Sequence, residues 1–450
     1  KLLQTFYVLA FGLGLRFVLR QLNPKGVFLS TLGLLFTYHH VFQMGFYNYC
    51  CSLALAFWAF GYWLWARNRW TPGRQLGLAG LFLALYFCHP IGLMYAFLLT
   101  GFALATQGFH SRQGKSWWSG FRREVLVFLL AALPVLVLLV RYFIAKGASF
   151  RPAGESMEQM GRELVRLSAL CTMENVERSW APAVAVFFLL LLLAAVWVKF
   201  KSRVWRRTDA LFGVFLLTLL IYFKQPGSFA GGGIMSVRLQ ILPYLMLLPW
   251  LATVEFPIRV KGAVLAFAVA ASAVFWSIRL PGHWRAAEAV AEYASCMQAV
   301  PDRVSVLPLS FNHHGQVPDG REVSSATWLF VHAVGYIGAE KNIVLLDNYE
   351  AHTKNFPLIW HDNRNPFLLL PREDVGFEGQ PPRADFLRFP EKSGGAAVDY
   401  VVTWCLDKKF NDHLFTREIK EQLERGYEQV FSSAHDLGRV YRRRSNPNPI

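Results

Sequence analysis

The first 123 residues of this 450-residue chain contain no aspartate or glutamate; the first acidic side chain is Glu124. Only 17% of the chain is charged, against roughly 25% in an average soluble domain, and 54% is hydrophobic. That balance excludes an ordinary soluble enzyme. Cysteine is sparse as well: there are six, with no C-x-x-C spacing, so neither a disulfide framework nor a zinc or redox motif is indicated. Cys50, Cys51 and Cys88 lie in or beside apolar runs, where a free thiol behaves as a small buried hydrophobe. The chain opens at Lys1 directly into an apolar run without the cleavage pattern of a signal peptide, and we expect its N-terminal part to be missing.

What is present is basic charge, unevenly spread. Residues 1–280 hold 27 Lys and Arg against 8 Asp and Glu, net +19, whereas 281–450 hold 19 against 22, net −3. A total of +16 raises nucleic-acid binding, but the excess sits between long apolar runs, so no nucleic-acid partner is expected and membrane lipid is. The expected fold is a polytopic α-helical membrane protein of about nine to ten transmembrane segments (1–280) followed by a soluble extracytoplasmic α/β domain (281–450).

Candidate spans are 2–19, 27–38, 49–66, 75–107, 124–145, 182–198, 208–223, 239–254 and 262–279. As one helix, 75–107 would be ~50 Å long, beyond the ~30 Å hydrocarbon core. It contains His89 and Pro90, and proline disfavours helix at the residue before it, so the run is expected to be a hairpin of 75–88 and 91–107. Every basic loop then falls on one side, as short cytoplasmic loops require: Arg20 and Lys25; Arg67, Arg69 and Arg74; Arg112, Lys115, Arg122 and Arg123; Lys199 to Arg207; and Arg259 with Lys261. The chain is therefore placed in the cytoplasmic (inner) membrane. The loop 146–181, the glycine-rich loop 224–238 and everything beyond 281 become extracytoplasmic.

In the loop 146–181, Met160, Leu164, Val165 and Leu167 alternate with charges at helical spacing, predicting an amphipathic helix at the interface. In the tail, 284–299 and 412–425 read as helices, 303–308, 398–404, 427–432 and 438–442 as strands, and 346–396 as mostly loop. The tail has no phosphate loop, nucleophile elbow or H-E-x-x-H motif. His313, His314, His332, His352 and His361 show no ligand-like spacing, so a docking surface is favoured over a metal site.

Polar groups at membrane depth point to function by default. His39, His40, Gln43 and Asn48 cluster on the turn 39–48; His89 marks the hairpin tip; Lys224 and Arg238 flank a glycine-rich loop. The histidines are candidate acid–base groups. Arg238, Lys224, Asn48 and Gln43 are candidate substrate-binding residues, the cations for a phosphate group.

The short spans, the turn Gly45-Phe46-Tyr47-Asn48-Tyr49, the His89-Pro90 break, the span led by Arg238 and the α/β tail resemble, as a layout over most of the chain, polytopic glycosyltransferases of the GT-C superfamily. The resemblance implies transfer of a sugar from a polyprenyl-phosphate-linked donor at the extracytoplasmic face, with a cation holding the lipid phosphate. Arg238 and Lys224 match that role. It also implies an Asp or Glu in the first extracytoplasmic loop, which has no counterpart here, and it leaves a divalent cation open as cofactor. The other classes considered are a non-catalytic envelope assembly or scaffold protein, whose partners would dock on 281–450, and a lipid-linked substrate transporter.

Overall fold

The computed structural model describes residues 2–67, 69–110, 115–146, 150–151, 155–204, 206–229, 233–353, 358–370 and 380–445. Arg112 of the third basic loop and Gly231 and Gly232 of the glycine-rich loop lie outside them. The chain divides into two compact units, 1–277 and 278–450, a few residues from the boundary expected at 280.

The first unit is helical: α1 (Leu2–Leu22), α2 (Ser30–Leu34), α3 (His40–Gln43), α4 (Tyr47–Ala66), α5 (Pro72–Cys88), α6 (Pro90–His110), α7 (Lys115–Lys146), α8 (Met157–Arg166), α9 (Glu177–Ser202), α10 (Leu211–Lys224), α11 (Met235–Leu239), α12 (Leu242–Leu251) and α13 (Ile258–Ser295), within which the unit boundary falls. Five helical stretches among the described residues are long and apolar enough to cross a membrane: α1, α4, α9, the Phe121–Ile144 part of α7 and the stretch that begins α13. Leu126, Leu129, Leu133 and Val137 of α7 and Leu189, Leu190 and Leu193 of α9 are exposed. Leaving such side chains in water forgoes ~1.5–3 kcal/mol each, so these faces call for lipid. The chain is a helical membrane protein.

The expected hairpin is present. Pro90 is the first residue of α6, where its missing amide costs nothing, and His89 is extended (φ −169°, ψ 135°). The rings of Phe82 and Phe97 lie 5.0 Å apart; on one straight helix they would be separated by about 22 Å.

The expected span 27–38 is different. It consists of a 3-10 turn from Pro24 to Leu29 followed by the five residues of α2. Ser30, Thr31 and Thr37 each donate a hydroxyl at 2.7 Å to the carbonyl three residues back, competing with the α-helical ladder. Glycines let the segment pack tightly: a Cβ at Gly26 would stand 2.5 Å from the Ala252 carbonyl oxygen. Similarly, 239–254 divides between α11 and α12 because Pro243 in the first turn of α12 supplies no amide.

Side-chain ties show which loops share an end. Helices α1 and α4 run parallel, with Trp58 Nε1 donating to the Ala10 carbonyl and Gln4 to the Tyr47 hydroxyl. Asn23 donates to the Ala252 carbonyl, Glu255 pairs with both Lys25 and Arg206, and Arg123 donates to the Trp70 carbonyl. The basic loops thereby gather at one end, as the charge pattern required.

At that end Lys199 and Asp209 form an ion pair at 2.6 Å, with side chains only 5% and 9% exposed. Removing one member of a buried pair leaves an uncompensated charge and costs ~3–5 kcal/mol. Lys199→Met should therefore lower the thermal unfolding midpoint in detergent markedly, and Lys199→Met with Asp209→Leu should recover most of the loss.

Small antiparallel strands β1 (Phe150–Arg151) and β2 (Ser228–Phe229) link two loops of the first unit. The second unit holds β3 (Ser305–Ser310), α14 (Gly335–Glu340), β4 (Val344–Leu345), α15 (Tyr349–Thr353), α16 (Pro366–Leu369), α17 (Phe389–Lys392), β5 (Tyr400–Trp404), α18 (Leu414–Gly426), β6 (Tyr427–Ser432) and β7 (Gly438–Arg443). The sheet order is β4-β3-β5-β7-β6, with β3 parallel to β4 and β5, and β7 antiparallel to β5 and β6. Each face carries its own core. Val306, Val402 and Trp404 pack with Tyr293 and Phe330, while Leu307, Leu309 and Val401 pack with Phe386, Ile419 and Leu423. The expected strands and the 412–425 helix are all found within two residues of their bounds. This is the small α/β unit read from the tail.

The β6–β7 hairpin is held by Arg439, which pairs with Asp407 and Asp436. The Arg439 hydrogen bond is the main reason the Asp436 carboxyl falls to about 2, against an opposing effect of burial and with help from Ser432. A depressed carboxyl stabilises the fold above its unfolded value, ~3.9, and the contribution disappears as pH falls toward 2. Asp436→Asn should flatten the acid limb of the stability curve between about pH 4 and 2, followed by fluorescence.

Candidate functional site

The end of the bundle opposite the basic loops is built from the turn before α4, the α5–α6 break and α11. Arg238 is buried, at 7% exposure. Its guanidinium stacks on the Phe46 ring, 4.4 Å from the centroid, and Nη1 stands 3.5 Å from His89 Nε2. The Tyr49 hydroxyl donates to the Arg238 carbonyl. The Tyr49 ring meets His89 edge-on at 5.5 Å and His39 at 6.4 Å. His39 is fully buried, with Nε2 3.8 Å from Cys50 Sγ. Three sequence candidates, His39, His89 and Arg238, thus come together around Tyr49.

The other four serve different ends. His40 Nδ1 lies 3.1 Å from the Cys171 carbonyl, which can only accept, so that nitrogen carries the ring hydrogen. Burial, with Arg178 adding to it and the Cys171 contact opposing, holds His40 below the usual imidazole range. Gln43 donates to Met173 Sδ, and the Asn48 side-chain oxygen accepts from the Tyr49 amide. Lys224 is exposed at the last residue of α10 and, among the described residues, takes no part in the hydrogen bonds around Arg238. Histidine at 40 and glutamine at 43 therefore tie the turn 39–48 to 171–173.

Two carboxylates at this end are committed to structure. Glu177, with no exposure, accepts from the amides of Thr172, Met173 and Glu174. Glu155 accepts from Ser236. The expected amphipathic helix is α8, and its carbonyls are held from the bundle: Tyr222 donates to Met160, Gln240 to Glu163 and Tyr244 to Leu164. Gln240, Tyr222 and Tyr244 carry no motif, so nothing in the sequence marked them as the supports of this end.

In the second unit, His332 Nδ1 bonds the nearly buried Asp347 at 3.0 Å, and His352 meets Asn365. His413 caps α18. Among the described residues no group of three or more His, Cys, Asp or Glu is placed to hold a metal ion. A cleft of about 470 Å³ between α18 and the β6–β7 strands is lined by Tyr427, Asp407, Lys420 and Arg439, with Asp407 pairing with both cations.

The chain matches no family model and no curated protein. The arrangement around Arg238 therefore stands on its own chemistry: a buried permanent cation, aromatic walls and neutral histidine, suited to an anion approaching from one end of a membrane bundle.

Tyr49 ties that arrangement together. Tyr49→Phe removes one buried hydrogen bond while keeping the ring contacts, and should cost ~1 kcal/mol, read as a small fall in the unfolding midpoint without loss of assembly.

Proposed function

We propose that the chain is an integral-membrane glycosyltransferase of GT-C type, using a polyprenyl-phosphate-linked sugar at the extracytoplasmic face of the cytoplasmic membrane. The observation that carries this reading is the buried Arg238 guanidinium at the end away from the basic loops, walled by Phe46 and His89. That end is extracytoplasmic if the basic loops face the cytoplasm, as the positive-inside tendency implies. A guanidinium in a low-dielectric setting binds phosphate oxygens strongly and keeps its charge at any physiological pH.

In this reading an acceptor hydroxyl oxygen attacks the anomeric carbon of the donor while the bond from that carbon to the polyprenyl phosphate breaks. The phosphate keeps the bonding electron pair, and Arg238 stabilises the charge that develops on it. The acceptor proton passes to a carboxylate base. Neither Glu177 nor Glu155 is assigned that role, since both are hydrogen-bonded as described above. Transfer by direct displacement inverts the anomeric configuration.

Arg238→Ala should reduce turnover of a polyprenyl-phosphate sugar by at least ~10-fold, the effect of losing a charge-assisted contact of roughly 1.5–3 kcal/mol. Unchanged release of polyprenyl phosphate from the labelled donor would remove Arg238 from the site.

A further inference from the structure

His89 does two things with its two ring nitrogens, and the first constrains the second. Its backbone is extended and precedes Pro90 at the first position of α6, the geometry of a helix N-cap. Its Nδ1 lies 3.2 Å from the Ile91 amide nitrogen. An amide N–H can only donate, so Nδ1 is the acceptor and caps α6 as a serine or asparagine oxygen would. His413 plays the same part for α18, accepting from the Phe415 amide.

A neutral imidazole has one acceptor nitrogen and one N–H. With Nδ1 accepting, the hydrogen belongs to Nε2. An imidazolium would have no acceptor and would give up the cap. Nε2 is the nitrogen that faces Arg238, 3.5 Å from Nη1, and a guanidinium is donor-only. Two N–H groups are therefore brought face to face, one charged and one neutral, an arrangement that an oxyanion accepting from both would reconcile.

Resting on the reading of Arg238 as a phosphate-binding cation, we infer that His89, fixed in its Nε2–H form by capping α6, is the second donor to the same phosphate group. The cap makes the donor permanent: the hydrogen bond that starts the helix also orients the ring and selects the tautomer. The two roles separate by substitution. Asparagine is a strong N-cap but does not reach the Nε2 position; glutamine places an amide N–H near Nε2 but caps poorly.

The test measures binding of dodecyl phosphate and of inorganic phosphate to the full chain in nanodiscs of zwitterionic lipid, by calorimetry, together with thermal unfolding. His89→Asn should unfold close to the wild-type temperature and bind dodecyl phosphate at least ~5-fold more weakly, the effect of losing one neutral hydrogen bond. His89→Gln should reverse the pattern, with lower stability and affinity near wild type. Preference for dodecyl phosphate identifies a lipid headgroup as the occupant, and equal affinity for the two probes identifies a site open to the free anion; either supports the shared phosphate chemistry. If Arg238→Gln abolishes binding while His89→Asn leaves it unchanged, the role of His89 is overturned and that of Arg238 stands. If the wild-type chain binds neither probe, both fall together.

Discussion

Pro90 has no amide hydrogen to donate, and the consequences reach from the backbone to the end of the bundle that holds Arg238. An apolar run too long for one crossing must break there, and the break is clean because proline is tolerated in the first turn of the helix that follows. The turn needs a cap, and His89 supplies it through Nδ1. Two antiparallel helices of usable length result, their aromatic faces meeting at Phe82 and Phe97. The same break sets an imidazole at the end of the bundle, against α11.

Other parts of the membrane unit follow the same economy of backbone hydrogen bonds. Where a segment cannot complete its own ladder, a side chain from elsewhere completes it. The carbonyls of α8 are taken up by Tyr222, Gln240 and Tyr244, and the amides of 172–174 by Glu177. In a bilayer each unsatisfied group would cost several kcal/mol. These polar side chains therefore secure the irregular segments at this end, leaving Arg238 and His89 held on fixed backbone. Donors held in this way need no reorganisation to meet an acceptor.

The two units draw stability differently. The helical unit exposes broad apolar faces, and among its described ion pairs Lys199 with Asp209, at a loop end, is the most deeply placed. The α/β unit buries an aromatic cluster on one face of its sheet, with Trp404 stacked on Phe330, and secures its last hairpin through the charges of Arg439. Its histidines are mostly engaged in such local tasks: His332 satisfies Asp347, and His413 caps a helix. That explains a concentration of imidazole without ligand spacing.

Hydropathy, the distribution of Lys and Arg and the position of one proline were enough to determine the helical membrane class, the hairpin, the gathering of basic loops at one end and the strands of the tail. These are properties of short segments or of solvent preference, and they survive without knowledge of neighbours. The failure of 27–38 to form a continuous helix was not legible, because it depends on serine and threonine hydroxyls turning back to the chain and on Gly26 meeting Ala252, more than 220 residues away. The site divides in the same way. Arg238 and His89 stood out as costly polar groups in apolar surroundings, but their meeting across 149 residues, and the engagement of His40, Gln43 and Asn48 with other partners, were decided by tertiary packing alone. Which nitrogen of His89 carries its hydrogen was decided there too, because a tautomer is set by the partner of the other nitrogen and not by the residue type.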